Sequence, residues 1–152
     1  IYETDPLEEE VWISGLPRLH IDVNTATLGG QIYALLEDCS DDGDCIHIGH
    51  AIMDLRYHEG GVEEQTWLPV FENINAKMEF FAIDAQIEAG HTLRLSLAST
   101  GEDYLPASTS SIVQISEGPD SNLIIDVIQP ESKLLFDPPA CTHQYCLDWT
   151  SQ

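Results

Sequence analysis

The sequence predicts an all-β protein, an antiparallel β-sandwich or jelly roll that forms a single domain over residues 1–152. Apolar and polar residues alternate with a period of two in a series of short segments, and turn dipeptides separate these segments. No helical periodicity lasts more than about two turns. These observations are typical of two packed antiparallel sheets. A chain of 152 residues, 43% of them hydrophobic, can bury a core without help from metals or bridges.

The alternating segments define the predicted strands. In chain order they are Val11–Ser14, Arg18–Asn24, Gln31–Asp38, Cys45–Arg56, Lys77–Ile87, Thr92–Ser99, Ile112–Ser116 and Leu123–Ile128. Turns are expected at Gly29-Gly30, Asp42-Gly43, Gly60-Gly61 and Gly118-Pro119. Gly49 predicts a bulge or bend inside its strand. We expect Val62–Asn75 to form a long loop or a short edge strand.

The stretch Phe81–Ser99 shows the alternation most clearly. The residues expected on one face are Phe81, Ile83, Ala85 and Ile87, and then Leu93, Leu95 and Leu97. Between the two halves lies the link Glu88-Ala89-Gly90-His91. The pattern predicts two half-buried antiparallel strands on either side of this link.

The same stretch, with its Ala-Gly-His link and Leu-Arg-Leu-Ser-Leu-Ala-Ser strand, resembles the C-terminal β-domain of the X-prolyl dipeptidyl-peptidase and cocaine-esterase group of serine hydrolases. Other fragments match in order and spacing. They are Tyr2–Leu7, Trp12–Pro17, Leu35–Asp38, Asp42-Gly43, Ile48–Ala51, Met53–Arg56, Ser121–Leu123 and Ile124–Ile128. The four cysteines and the segment after Lys133 depart from the family pattern.

The resemblance implies a galactose-binding-like jelly roll that packs on a preceding α/β-hydrolase catalytic domain. In the family the catalytic Ser, Asp and His lie in that preceding domain, and none of their positions maps onto this chain. The sequence also lacks a Gly-x-Ser-x-Gly elbow, a phosphate-binding loop, a dinucleotide fingerprint and a His-Glu-x-x-His motif. We therefore expect no catalytic residue here. The first residue, Ile1, fits a processed product or a domain taken from a longer hydrolase.

Net charge is extreme, with 27 acidic side chains against five basic ones and a formal charge of −22. Such a field repels phosphate backbones and anionic lipid, which excludes nucleic acid and membrane surfaces as partners. No apolar run approaches the roughly 18 residues that a membrane span requires. Acidic residues dispersed along the chain, with little lysine, are typical of proteins from high-salt environments. The alternative interpretation is an ordinary acidic secreted protein.

The four cysteines form two local pairs, Cys39 with Cys45 and Cys141 with Cys146. The first pair flanks a polar hairpin tip, where facing residues are separated by about the 5.5 Å that a disulfide needs. Two local disulfides are predicted, which implies an extracellular or cell-surface protein. A four-cysteine zinc site and free thiols are the alternatives, although the spacings differ from those of zinc knuckles. The opening segment 1–10 and an irregular, disulfide-held tail over 130–152 would flank the sandwich.

The hairpin tip also reproduces the start of a calcium loop. The candidate ligands are Asp38, Asp41, Asp42 and Asp44. The twelfth position is Gly49 rather than Glu, so the segment is not an EF-hand. A looser calcium or sodium site and a plain Asp-Gly turn both explain these residues. No other cofactor is predicted.

Trp67 in the long loop, together with two nearby ring side chains, offers a platform for sugar stacking. The candidates are Trp67, Tyr57 and His58, and they support a second interpretation, a stand-alone carbohydrate-binding module that calcium assists. His47 and His50 flank the bulge, where we expect ordinary hydrogen-bonded strand histidines. His91 is expected to order its loop.

Overall fold

The computed structural model of the protein describes residues 1–59, 65–101, 104–105 and 111–128. In chain order the strands within these ranges are β1 (Tyr2–Glu3), β2 (Val11–Gly15), β3 (Arg18–Thr25), β4 (Gln31–Cys39), β5 (Cys45–Asp54), β6 (Asn73–Glu79), β7 (Ile83–Ile87), β8 (Thr92–Ala98), β9 (Val113–Ser116), β10 (Asn122–Ile124) and β11 (Val127–Ile128). Within the same ranges, one 3-10 turn, Leu55–Tyr57, follows β5. None of the described residues forms a helix long and apolar enough to cross a membrane.

The strands form three antiparallel sheets. The first has the order β1-β8-β4-β5, and the second has the order β10-β3-β6, with β9 also paired to β3. The third has the order β11-β2-β7. Every pairing is antiparallel, which confirms the predicted all-β sandwich.

Alternation along β3 and β4 produces the core between the first two sheets. Their inward residues are Leu19, Ile21 and Val23 on β3, and Ile32, Ala34 and Leu36 on β4, all buried. Because successive side chains of a strand point to opposite faces, the apolar residues of each alternating segment face the core and the residues between them face outward. Ile13, Ile83 and Ile87 close the core from the third sheet.

The predicted bulge at Gly49 is present. Leu36 pairs with Gly49 and Glu37 pairs with His47, so Ile48 has no partner on β4. The extra residue bends β5 and directs His47 and His50 to the outer face of the first sheet.

The prediction of one strand over Lys77–Ile87 was wrong. The chain leaves β6 in the second sheet after Glu79 and begins β7 in the third sheet at Ile83. In this crossing Phe80 is buried at 2% exposure and Phe81 is 61% exposed, so Phe81 does not share the inward face of Ile83. Strand β6 also begins at Asn73, within the segment expected to be a long loop or a short edge strand.

Two other strand assignments need correction. Strands β7 and β8 do not pair with each other, because β7 pairs with β2 while β8 pairs with β4 and β1. The predicted strand Leu123–Ile128 is divided into β10 and β11, which belong to different sheets. The predicted turn at Gly60-Gly61 and the tail over 130–152 lie outside the described residues.

Candidate functional site

A disulfide joins Cys39 and Cys45 at the base of the hairpin tip, as the sequence predicts. The two residues face each other across β4 and β5, and their Cα atoms are 4.0 Å apart. The tip closes through Ser40 N–H donating to the Asp44 carbonyl, with Gly43 in a left-handed conformation at φ 89°. In this state neither sulfur is a thiolate that could bind zinc.

The second predicted disulfide would join Cys141 and Cys146. Both Cys141 and Cys146 lie outside the described residues, in contrast to the first pair. The structure therefore supports one of the two predicted bridges, between Cys39 and Cys45. A bridge between Cys141 and Cys146 stays a prediction, which non-reducing peptide mapping of the chain would test.

The four candidate calcium ligands are divided between two environments. Asp38 lies on the inward face of β4 at 8% exposure, and its Oδ1 is 2.7 Å from His91 Nδ1. Asp41, Asp42 and Asp44 are exposed on the tip. Among the described residues, no three His, Cys, Asp or Glu side chains come together in a way that could hold a metal ion. His91 therefore fastens its own turn to β4, and calcium at the tip stays a prediction.

Of the three sugar-platform candidates, Trp67 alone is largely exposed, at 66%. Tyr57 is half-buried, and its hydroxyl accepts a hydrogen bond of 2.8 Å from Gln65 Nε2. His58 is also half-buried, with Nδ1 2.9 Å from the Leu55 carbonyl. Two of the three candidates are thus used in closing the turn after β5.

The same turn is held by an ion pair between Asp54 and Arg56. Asp54 caps the turn by accepting from the Arg56 backbone N–H at 3.0 Å, and the Arg56 Nε lies 3.0 Å from Asp54 Oδ1. Hydrogen bonding from the guanidinium holds the pKa of Asp54 below its ordinary value of 3.8. The carboxylate in turn raises the pKa of Arg56.

A cluster of aromatic and histidine rings on the outer face of the first sheet was not predicted as a unit. His50 lies at its centre, with Nδ1 3.2 Å from His47 Nε2 and Nε2 2.9 Å from the Tyr104 hydroxyl. The rings of Tyr33 and Phe81 flank His50 at centroid distances of 5.8 Å and 5.1 Å. The network fixes the ring positions, but two imidazoles are too few donors for an enclosed metal site.

An apolar cleft of about 490 Å³ opens between the first and second sheets. Nine leucine and isoleucine side chains line it, together with the polar residues Glu3, Thr4, Ser116, Glu117, Ser121 and Asn122. The Ser121 hydroxyl is already engaged within the domain, since it donates to the Ser116 carbonyl at 2.8 Å and accepts from the Asp22 N–H at 3.0 Å. The cleft surface is therefore mainly apolar.

The fold and these sites define a class of structure, an all-β sandwich domain. The chain belongs to the X-Pro dipeptidyl-peptidase C-terminal non-catalytic domain family, whose model matches residues 1–126. Comparison with the curated proteins gives no significant match.

Solved structures with the same fold come from larger hydrolases. An aminopeptidase from the marine sediment archaeon Thaumarchaeota archaeon superimposes with a TM-score of 0.73 at 14% identity, over 84% of this chain and 25% of that one. A CocE/NonD family hydrolase from Staphylococcus aureus gives 0.72 at 12% identity, over 84% and 30%. An α-amino acid ester hydrolase gives 0.73 at 17% identity, over 84% and 25%. The chain thus spans about a quarter to a third of each structure that it matches.

Proposed function

We propose that this chain is the non-catalytic C-terminal domain of a serine hydrolase of the X-prolyl dipeptidyl-peptidase and cocaine-esterase group. In that setting it packs against the preceding α/β-hydrolase domain, helps to wall the mouth of the active site and stabilises the assembly. The parent enzyme would cleave an ester or amide with its own Ser, His and Asp.

The observation that carries this proposal is the family match over residues 1–126. The structural neighbours support it, because each is a larger hydrolase of which this fold forms 25–30%. The same match favours the hydrolase-domain interpretation over a stand-alone carbohydrate-binding module.

The chain's chemistry supports an extracellular or cell-surface location, with high salt as the environment. The Cys39–Cys45 disulfide persists in an oxidising compartment. A net charge of −22 disfavours nucleic acid and anionic membrane surfaces as partners.

Activity measurements test the proposal. The purified 152-residue chain should hydrolyse neither a prolyl amide nor an aryl ester, whereas the polypeptide that also carries the preceding hydrolase domain should hydrolyse one of them. Deleting this domain from the longer polypeptide should lower the thermal midpoint of the part that remains. Hydrolysis by the 152-residue chain itself would contradict the proposal.

A glycan array, read with and without calcium, examines the carbohydrate alternative. We expect no specific binding. Binding that Trp67→Ser abolishes would instead favour the carbohydrate module.

A further inference from the structure

One end of the sandwich exposes a group of large apolar side chains, which we call the end patch. Its members and their exposures are Leu28 55%, Trp67 66%, Val70 37%, Phe71 74% and Ile112 74%. Contiguous exposed apolar surface on a soluble domain marks an interaction site more often than isolated exposed residues do.

Backbone hydrogen bonds hold the three segments of the end patch side by side. Phe71 N–H donates to the Thr25 carbonyl at 2.9 Å, and Leu68 N–H donates to the Leu28 carbonyl at 3.4 Å. Ala26 N–H donates to the Ile112 carbonyl at 3.4 Å. The end of β3, the loop before β6 and the start of β9 therefore form one continuous surface.

Phe71 has an unusual backbone for an exposed aromatic residue. Its φ of 64° is left-handed, a conformation that bulky residues rarely adopt. Left-handed non-glycine residues are concentrated at functional sites, where surrounding contacts hold them. The structure thus presents a phenylalanine to solvent in a position that glycine or asparagine would occupy more easily.

The three segments of the end patch contain no charged residue of their own. Residues 25–30, 65–71 and 111–113 contain no Asp, Glu, Lys or Arg, although 21% of the chain's residues are charged. The Arg56 side chain approaches Gly29, and its charge is paired with that of Asp54. Two exposed carboxylates border the patch, because Glu59 Oε2 accepts from the Thr66 hydroxyl at 3.1 Å and Glu72 directly follows Phe71. Depletion of charge with enrichment of aromatic residues is the composition of an interface core.

The direction of β1 indicates at which end of the sandwich a polypeptide preceding this domain would lie. Strand β1 is antiparallel to β8, with Tyr2 opposite Leu95 and Glu3 opposite Arg94, so its N-terminal side points toward Ala98. Ala98 pairs with Tyr33 near the start of β4, and the loop 26–30 joins that point to the end of β3. A polypeptide that preceded β1 would therefore arrive at the same end as the end patch.

We propose that the end patch is the surface on which the preceding α/β-hydrolase domain of the parent polypeptide docks. This inference rests on the proposed function and adds the location of the contact. A second copy of the chain is disfavoured as the occupant, because two bodies of charge −22 repel each other.

Hydrogen–deuterium exchange tests the location. In the longer polypeptide, peptides covering 25–30, 65–71 and 111–113 should exchange more slowly than in the 152-residue chain, while the tip at 40–44 should exchange equally in both. Protection at another surface would overturn the end patch but leave the packing proposal intact. Equal exchange everywhere would overturn the packing proposal as well.

Substitutions in the longer polypeptide give an independent readout. Phe71→Asn removes the ring and suits the left-handed backbone, so the domain itself should stay folded. The double variant that combines Phe71→Asn with Trp67→Ser should replace one cooperative thermal transition of the longer polypeptide with two. It should also increase proteolytic nicking between the domains at least tenfold.

Ile46→Ser is the matched control for these substitutions, since Ile46 is 65% exposed but lies at the opposite end beside the hairpin tip. Equal behaviour of the double variant and the control would contradict the proposal. Self-association of the 152-residue chain that the double variant abolishes would assign the patch to a second copy instead.

Discussion

Gly49 shows how a single residue fixes the packing of the first sheet against the third. A Cβ atom added at Gly49 would lie 2.7 Å from Ile83 Cγ2, well inside van der Waals contact. We predict that Gly49→Ala lowers the free energy of unfolding by about 1–3 kcal/mol, as overpacking does elsewhere. Urea denaturation with an unchanged m-value measures this loss.

Gly118→Ala is the control for this prediction. A Cβ at Gly118 would meet nothing within 4 Å. Its stability should therefore stay within about 0.5 kcal/mol of the wild type. Equal stability of Gly49→Ala and Gly118→Ala would mean that Ile83 moves aside freely.

The Asp54–Arg56 pair contributes to the stability of the folded protein in a way that depends on pH, and the sign of this dependence follows from the pKa of Asp54. Because the folded-state pKa of Asp54 lies below 3.8, the pair stabilises the protein above that pH and is lost as the pH falls through the lower folded-state value. Asp54→Asn should accordingly lower the thermal midpoint at neutral pH, and the difference from wild type should shrink below about pH 4. Asp42→Asn, at the exposed tip, removes the same charge without breaking this pair. A difference that persists undiminished at pH 2 would refute the assignment.

Two adjacent phenylalanines lie in the crossing from β6 to β7, which the sequence pattern did not predict. Phe80 is buried at 2%, with its N–H donating to the Pro17 carbonyl at 2.9 Å, while Phe81 is 61% exposed. Phe80→Ala should therefore lower the free energy of unfolding by about 3–5 kcal/mol. Phe81→Ala should cost less than about 1 kcal/mol. Chemical denaturation of both variants decides whether the crossing between sheets is correctly placed.

Strands were predictable wherever one alternating pattern belongs to one sheet, as in β3, β4 and β8. The crossing after Glu79 was not, because Phe80 and Phe81 continue an apolar run while the inward face changes. The Cys39–Cys45 bridge was predictable because both residues lie beside one turn. The cluster around His50 was not, since Phe81 and Tyr104 reach it from distant parts of the chain. The end patch was likewise hidden, because its three segments meet only in the folded sandwich.

At the scale of the whole molecule, the charge of −22 predicts a strong dependence on salt. Repulsion between acidic side chains opposes the compact state, and the Debye length falls from about 10 Å at 0.1 M to about 3 Å at 1 M. The thermal midpoint should therefore rise substantially between about 0.1 M and 2 M potassium chloride. Chloride is the appropriate salt because sulfate stabilises any protein by strengthening apolar burial. A midpoint that stays flat over this range would refute a high-salt adaptation.

The two-residue strand β1 has a consequence for solubility. Thr4 N–H donates to the Leu93 carbonyl, and the opening segment is fastened further where Leu7 N–H donates to the His91 carbonyl. Residues 2–7 therefore cover the free edge of β8, whose backbone would otherwise be open to pairing with another chain. Trimming the polypeptide after Leu7 would open this edge strand to pairing with another chain, and it would also remove Leu7, which packs against the core. An expression boundary for this domain therefore belongs before Tyr2, so that β1 keeps its pairing with β8.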